Sequence, residues 1–144
     1  MTTVRFYFIV FLLFLGGTAS AHEYFAGNFK LVHPWSEASN PGVMEADVYC
    51  IFEDVQQDDK LLGAKSSMAQ SIEIRKSASS PGRQWEVLEV LEIPSNAVLQ
   101  LSKASVYLAI VGLRAPLQWG RSYPMQMQFE RAGIVNVMVS IGAH

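Results

Sequence analysis

The side chains of this sequence that could do chemistry are few, and the three histidines, His22, His33 and His144, come first. Imidazole is a common metal ligand and a common general base. None of the three lies near a serine or cysteine in a nucleophile-elbow motif, and the sequence has no glycine-rich phosphate loop and no paired-cysteine zinc spacing. These patterns disfavour a hydrolase, and we expect no catalytic residues and no enzymatic activity.

Sulphur ligands and carboxylates give weaker signals. Met125 and Met127 alternate with glutamines, which predicts the inward face of a strand rather than a copper site. Cys50 is the only cysteine, and its phase within "ADVYCIFE" predicts a buried side chain without a disulfide. The aspartates around "EDVQQDDK", among them Asp59, are interpreted as a solvated loop.

Short β-strands must position these side chains. Runs such as "MEADVYCIFE", "QSIEIRKS", "QWEVLEVLEI", "SVYLAIVGL" and "GIVNVMVSI" have strand periodicity and are separated by proline and glycine turns, and no helical stretch is convincing. Regularly spaced strands in about 120 residues predict an all-β antiparallel sandwich or barrel. The predicted core includes Ile72, Ile74, Val106, Leu108, Ile110, Val135, Val137 and Val139.

The first residues predict export. Arg5 precedes the apolar run "FYFIVFLLFL", and Ala19-Ser20-Ala21 ends in a small-x-small cleavage pattern. We therefore expect residues 1–21 to be a secretory signal peptide and residues 22–144 to form one exported domain. The apolar run is about half the roughly 20 residues of a membrane span, so no span is expected after cleavage. Without Arg5, ten lysines and arginines face thirteen aspartates and glutamates, interspersed along the chain, which disfavours nucleic-acid binding.

Three longer segments carry a resemblance to a known family. They are "HEYFAGNFKLVHPWSEASNPGVMEADVYCIFE", "DKLLGAKSSMAQSIEIRKS" and "LEIPSNAVLQLSKASVYLAIVGLRAPLQWGRSYPMQMQFERAGIVNVMV". Together they resemble the periplasmic copper chaperone family called PCu(A)C over nearly the whole predicted mature chain. The specific matches are His33-Pro34-Trp35, Pro41-Gly42, Leu62-Gly63-Ala64, Leu91-Glu92-Ile93-Pro94, and Gly112-Leu113 before Pro116-Leu117.

The resemblance implies a cupredoxin-like Greek-key β-sandwich that holds one cuprous ion and passes it on for assembly of the copper centre of cytochrome oxidase. It implies, as partner, a periplasmic copper acceptor or oxidase assembly protein. The family's ligands are two histidines and two methionines. A His-x-Met pair ends the strand that matches "SIEIRKS", one Met lies in the following hairpin, and a second His lies in the strand that runs to Gly112.

This sequence departs from that pattern at every ligand position. Arg75 stands in place of the first His, Ser77 in place of the paired Met, and Tyr107 in place of the second His, and the hairpin around Trp85 has no Met. Arginine carries a fixed positive charge and offers no lone pair to a metal. We expect the four side chains to converge on one surface patch, each at least partly exposed, as a degenerate copper site.

Three interpretations follow for the function. In the first, copper is retained but bound elsewhere, by His22 at the processed N-terminus together with His33, where nitrogen donors would favour the cupric ion. In the second, the domain binds no metal and is an assembly partner that uses Arg75, Trp85 and Tyr107 as contact residues. The third is an oxidative enzyme built on an N-terminal copper brace, which the resemblance disfavours.

Overall fold

The computed structural model describes residues 22–142, and this part of the chain consists of β-strands joined by turns and loops. The predicted signal peptide and His144 lie outside the described residues. Within this range no helix has the length and apolar character needed to cross a membrane. The strands are β1 Glu23–Ala26, β2 Phe29–Ser36, β3 Glu45–Glu53, β4 Asp59–Lys65, β5 Ala69–Ser77, β6 Trp85–Leu88, β7 Leu91–Ile93, β8 Leu99–Gln100, β9 Val106–Leu113, β10 Ser122–Phe129 and β11 Gly133–Ile141.

The strands form a folded-over sheet in the order β6-β5-β9-β3-β2-β11-β10-β4-β7, with β1 added to β2 and β8 added to β3. All pairs are antiparallel except β2 with β11, which run parallel at their ends. Strand β3 joins the two layers, because its first half pairs with β9 and its second half with β2. The predicted cupredoxin-like β-sandwich is therefore confirmed.

The core lies between the two layers and is rich in aromatic rings. Phe29 lies 4.8 Å from Phe129 and 5.6 Å from Phe52 between ring centroids, in edge-to-face contacts. Full burial of side chains of this size stabilises a fold by about 1.5–3 kcal/mol each. The predicted core is confirmed, with Ile74, Leu108, Ile110, Val137 and Val139 buried and Ile72, Val106 and Val135 packed against them. Met125, Met127 and Cys50 are buried as predicted.

Two features of the chain differ from the sequence-based predictions. The run "QWEVLEVLEI" is not one strand, since β6 pairs with β5 in one layer and β7 pairs with β4 in the other. Asp59 is not part of a solvated loop, because it begins β4 with only 1% of its surface exposed. Its carboxylate accepts hydrogen bonds from the backbone N–H groups of Lys60, Arg131 and Ala132. These bonds tie the start of β4 to the β10–β11 turn.

Candidate functional site

The outer surface of strands β6, β5, β9 and β3 carries the four positions that the sequence singled out. Cross-strand register places Arg75 directly opposite Tyr107 and Ser77 directly opposite Trp85. Opposite residues of an antiparallel pair share one face, so the four side chains converge, as predicted. They line a groove of about 440 Å³ together with Glu45, Asp47, Gln84 and Lys103. We call these eight residues the Arg75 face.

The guanidinium of Arg75 is the centre of this face. Its Nη1 and Nη2 atoms donate to the two carboxylate oxygens of Glu45 at 2.9 and 3.2 Å, and its Nε atom donates to Glu73 at 2.8 Å. The Cζ atom lies 3.7 Å from the ring centroid of Trp85, which gives a cation–π contact. Two-pronged Arg–carboxylate pairs are among the stronger hydrogen-bonded contacts in proteins. Arg75 is therefore fixed in place by three neighbours.

The exposure expected for these positions is wrong for two of the four. Arg75 is 3% exposed and Tyr107 is 5% exposed, whereas Trp85 is 36% exposed and Ser77 is partly buried. The alternation of side chains along β5 places Arg75 on the face directed away from the core, as predicted. Its burial comes from the outer side, because the indole of Trp85 and the carboxylates that bind the guanidinium cover it.

Electrostatics reinforce this arrangement. The carboxylate of Glu45 holds the pKa of Arg75 above its ordinary value, and in return Arg75 holds the pKa of Glu45 below its usual range. Burial raises the pKa of Asp47, and burial together with the Asp47 carboxylate raises the pKa of Tyr49 to about 12. The centre of the face thus carries a permanent cation that has no lone pair to offer a metal ion.

Sequence reasoning missed the two carboxylates that hold Arg75. Glu73 could have been found, because a residue two positions away on a strand shares the same face. Glu45 lies 30 residues from Arg75 in the chain and reaches it because β3 and β5 both pair with β9. No local pattern in the sequence indicates that contact.

The two histidines of the predicted N-terminal site are neighbours in the fold. The backbone N–H of His33 donates to the carbonyl of His22 at 2.7 Å, which continues the β1–β2 ladder beyond the Glu23–Val32 pair. His22 is exposed and His33 is half-buried. Among the described residues, no group of three histidine, cysteine, aspartate or glutamate side chains could hold a metal ion.

A backbone irregularity determines where His33 lies. It has a φ of 50° and falls where the β2–β3 register shifts, between Val32 and Trp35. An extra residue at such a bulge re-aims a side chain. The imidazole of His33 stacks on Trp35 with ring centroids 6.5 Å apart and planes 20° apart, and Trp35 in turn packs on Tyr49 at 5.1 Å. The stacked rings hold His33 on the outside of the sandwich.

Comparison with known proteins gives a consistent result. A family model described as "Putative lipoprotein LpqE-like" matches residues 29–141. A curated relative, the putative lipoprotein Lxx21020 of Leifsonia xyli subsp. xyli, is 25% identical over 122 residues, which cover 81% of this chain and 70% of the relative.

Several solved structures have the same fold as this chain. The copper-bound PCuAC domain from PmoF2 superposes with a TM-score of 0.74 at 23% identity, over 85% of this chain and 99% of that domain. The apo PCuAC domain from PmoF1 has a TM-score of 0.73 at 27% identity, over 85% of this chain and 100% of that domain. The copper(I) form of DR1885 from Deinococcus radiodurans has a TM-score of 0.66 at 20% identity, over 88% of this chain and 83% of that chain.

Proposed function

The chain belongs to the LpqE-like family and has the fold of the PCuAC copper chaperone domains, and on that premise we propose that it is an exported copper-handling protein whose Arg75 face holds no cuprous ion. Two structural relatives are described as copper-bound, which supports copper as the cargo. A carrier or binding role, rather than catalysis, fits these descriptions.

The observation that carries this proposal is the environment of Arg75. The positions that correspond by resemblance to the family's copper ligands are Arg75, Ser77, Trp85 and Tyr107, and none of these side chains is a soft metal ligand. Arg75 is 3% exposed and bound to two carboxylates. Moving its guanidinium aside to admit a metal ion would break both ion pairs, which is costly at a buried position. The face is degenerate as a cuprous site.

The proposed location is the periplasm. The lipoprotein descriptions of the matched family and of the curated relative support a place outside the cytoplasm. Cleavage of residues 1–21 as a signal peptide is part of the proposal, and mass spectrometry of the exported protein should find His22 at the N-terminus. A retained apolar segment would contradict it.

The proposed partner is a periplasmic copper acceptor, of the kind that assembles the copper centre of cytochrome oxidase. Copper handling is tested by titrating the exported protein with cuprous and cupric ions separately. We expect stoichiometric copper binding that a Trp85→Leu variant retains, because Trp85 covers Arg75 and the proposal places no copper on that face. Absence of binding for both ions would contradict copper handling, and a cuprous ion lost in Trp85→Leu would contradict a degenerate face.

A metal-free assembly module is the second candidate, and the exposure of β6 favours it. This strand lies at the end of the strand order, and on the outer face it presents Trp85 and Val87, which are 36% and 54% exposed. Arg, Tyr and Trp are enriched at binding hot spots. A photoreactive cross-linker at Val87 should then capture one defined periplasmic protein, and Trp85→Ala should abolish the capture. The same cross-linker at Ile134, on β11 and 59% exposed, is the matched control.

A further inference from the structure

One end of the sandwich is formed by three loops that are hydrogen bonded to one another. They join β2 to β3, β4 to β5 and β9 to β10, and they comprise residues 37–44, 66–68 and 114–121. The N–H of Leu117 donates to the hydroxyl of Ser39 at 2.7 Å, and the carbonyl of Leu117 accepts the N–H of Ser39 at 3.0 Å. The N–H of Arg114 donates to the carbonyl of Met68 at 3.0 Å. These loops form one connected surface, which we call the Trp119 end.

Two tight turns shape this surface. The first covers residues 40–43 and the second residues 118–121, and in each the fourth N–H donates to the first carbonyl, at 3.2 and 3.1 Å. The third residue of each turn is a glycine in the left-handed region, Gly42 with a φ of 84° and Gly120 with a φ of 80°. A type II turn requires this conformation at its third position. Trp119 is the second residue of its turn, so its side chain projects from a fixed corner.

The apolar side chains of the Trp119 end are exposed to solvent. Trp119 is 74% exposed, Met44 is 57% exposed and Val43 is 44% exposed. Single exposed apolar residues are common on protein surfaces, but a group of them indicates an interaction site. These three lie on two loops that Ser39 and Leu117 bond together, so they can meet one partner at the same time.

The Trp119 end is also basic. Arg114 and Arg121 in the loops and Lys65 at the end of β4 are exposed, and Glu37 is the single acidic residue of the three loops. Within residues 22–142, none of these three cations takes part in an ion pair. The predicted mature chain has thirteen acidic residues against ten basic ones, so the positive charge of this end is a local feature.

This combination of side chains fits the surface of an anionic lipid bilayer. Tryptophan is enriched at membrane–water interfaces, where its ring lies at the level of the headgroups. Aliphatic side chains beside it can enter the boundary between headgroups and acyl chains. Lysine and arginine near the surface are attracted by anionic lipids. The Trp119 end supplies all three kinds of group, and an exported domain has a membrane surface within reach.

We propose that the Trp119 end docks on an anionic membrane surface, with Trp119, Met44 and Val43 between the lipid headgroups and Arg114 and Arg121 against the phosphates. This inference uses the proposed location outside the cytoplasm but involves no copper. Failure of membrane docking and failure of copper handling are therefore separate results.

Docking by this end leaves the centre of the Arg75 face open. Leu113, the last residue of β9, borders the Trp119 end, because its N–H donates to the carbonyl of Met44 at 2.9 Å. Tyr107, directly opposite Arg75, lies six residues earlier on β9, which is about 20 Å along an extended strand. A domain held in this way can still present Tyr107 and Trp85 to a protein partner.

The test uses protein exported from the full chain, with removal of the predicted signal peptide verified by mass spectrometry. Sedimentation measures its binding to two kinds of vesicle, phosphatidylcholine mixed with phosphatidylglycerol and phosphatidylcholine alone. We expect binding to the anionic vesicles that high salt weakens, because salt screens exposed charges. Tryptophan fluorescence should shift to the blue on binding, and the shift should persist in Trp85→Leu and disappear in Trp119→Ser.

Substitutions at the Trp119 end should weaken binding in proportion to what they remove. Trp119→Ser removes the largest apolar surface and should weaken binding about tenfold or more. Phe25→Ser is its matched control, because Phe25 is 78% exposed on β1, at the opposite end of the sandwich, and this variant should bind like the parent.

A charge-reversal pair tests the electrostatic contribution. Each cation near an anionic surface changes binding about fivefold, so the double variant Arg114→Glu with Arg121→Glu should weaken binding at least about 25-fold. Arg83→Glu with Lys103→Glu changes the net charge equally at exposed positions away from the Trp119 end, and it should weaken binding far less. All these side chains are exposed, so each variant should unfold at the urea concentration of the parent.

Three results would overturn the proposal. The first is the absence of binding to anionic vesicles, and the second is equal binding to both kinds of vesicle. The third is an equal loss of binding in the two charge-reversal variants, which would show a response to net charge alone. If light scattering instead detects a dimer that Trp119→Ser dissociates, the Trp119 end is an interface between two copies of the chain rather than a membrane contact.

Discussion

Two buried charged side chains in this fold, Asp59 and Arg75, are stabilised by different kinds of partner. Asp59 is 1% exposed, and three of its four hydrogen bonds come from backbone N–H groups, with the fourth from the side chain of Asn28. Arg75 is 3% exposed, and its partners are the side chains of Glu45 and Glu73, which are themselves 51% and 32% exposed. Asp59 is therefore held mainly by backbone groups, whereas Arg75 is held by side chains that substitution can replace.

This difference indicates that Asp59 stabilises the fold itself, whereas Arg75 determines the chemistry of one surface. Backbone donors cannot be substituted, so a residue that satisfies three of them connects strands whatever the protein does. Side-chain partners can change together, so the chemistry of the Arg75 face can change while the strands that carry it stay the same. The predictions below test that contrast.

Asp59→Ala should have the largest effect. The change leaves the N–H groups of Lys60, Arg131 and Ala132 without their acceptor at a buried position, and each such loss costs about 1–3 kcal/mol. We expect the free energy of unfolding to fall by about 3–5 kcal/mol in urea titrations. Asp58→Ala, next in the chain but exposed, is the control and should cost far less. Equal losses for the two variants would remove the special role of Asp59.

Arg75→Met should have an intermediate effect. It removes the bonds to Glu45 and Glu73, but both carboxylates can return to water, so we expect a loss of about 1–3 kcal/mol. The double variant Arg75→Met with Glu45→Gln should cost less than the sum of the two single changes, because the partners act as a pair. Additive costs in denaturant unfolding would show that the ion pair contributes nothing beyond packing.

The pH dependence of the free energy of unfolding should distinguish Asp59 from Glu45, the carboxylate that pairs with Arg75. Burial alone would raise the pKa of Asp59, but the hydrogen bonds from Arg131, Lys60 and Ala132 outweigh it, and the pKa lies below its ordinary value. A carboxylate with a lowered folded pKa stabilises the fold above its unfolded pKa of about 3.9, and that contribution is lost as pH falls through the folded value.

The stability gap between the parent and Asp59→Asn should therefore narrow as pH falls below about 4. The gap for Glu45→Gln should narrow in the same direction, since Arg75 lowers the pKa of Glu45, but by less, because Glu45 is half exposed. Urea titrations at pH 7, 5 and 3 would measure both gaps. If both stability gaps stay constant across this pH range, the pKa values of Asp59 and Glu45 are not lowered in the folded protein.

Trp85→Leu should have the smallest effect. Its indole covers the guanidinium of Arg75 at 3.7 Å, and cation–π contacts at partly exposed sites contribute about 0.5–1 kcal/mol. Trp119→Leu is the matched control, because that indole is 74% exposed and should contribute nothing measurable. If both variants unfold at the same urea concentration, Trp85 does not stabilise the ion pair.

Strand periodicity was sufficient to predict most of this fold. Alternation in "SIEIRKS" placed Ile74 inside and Arg75 outside, and the same rule placed Tyr107 on the outer face beside it. The short strand β1 was not predicted, because four residues carry too little pattern, and its pairing with β2 is what makes His22 and His33 neighbours.

Long-range contacts explain what could not be predicted. Asp59 was interpreted as solvated because its neighbours are polar, and two of its three backbone donors lie 72 and 73 residues away. The burial of Arg75 depends on Glu45, 30 residues distant, and on Trp85 across the β5–β6 pair. Periodicity reports which face a side chain occupies, but not which distant residues cover that face.

The proposal that the Arg75 face is a degenerate copper site can be tested directly by restoring the ligands. The combined changes Arg75→His, Ser77→Met, Trp85→Met and Tyr107→His return two imidazoles and two thioethers to side chains that share one groove. Because Arg75 and Tyr107 are buried, the variant should lose more stability than surface changes cost, and circular dichroism must first confirm its strands. Competition against a cuprous chelator should then show one cuprous ion more than in the parent. A folded variant that binds no more cuprous ion than the parent would contradict the claim that the Arg75 face stands where relatives hold copper.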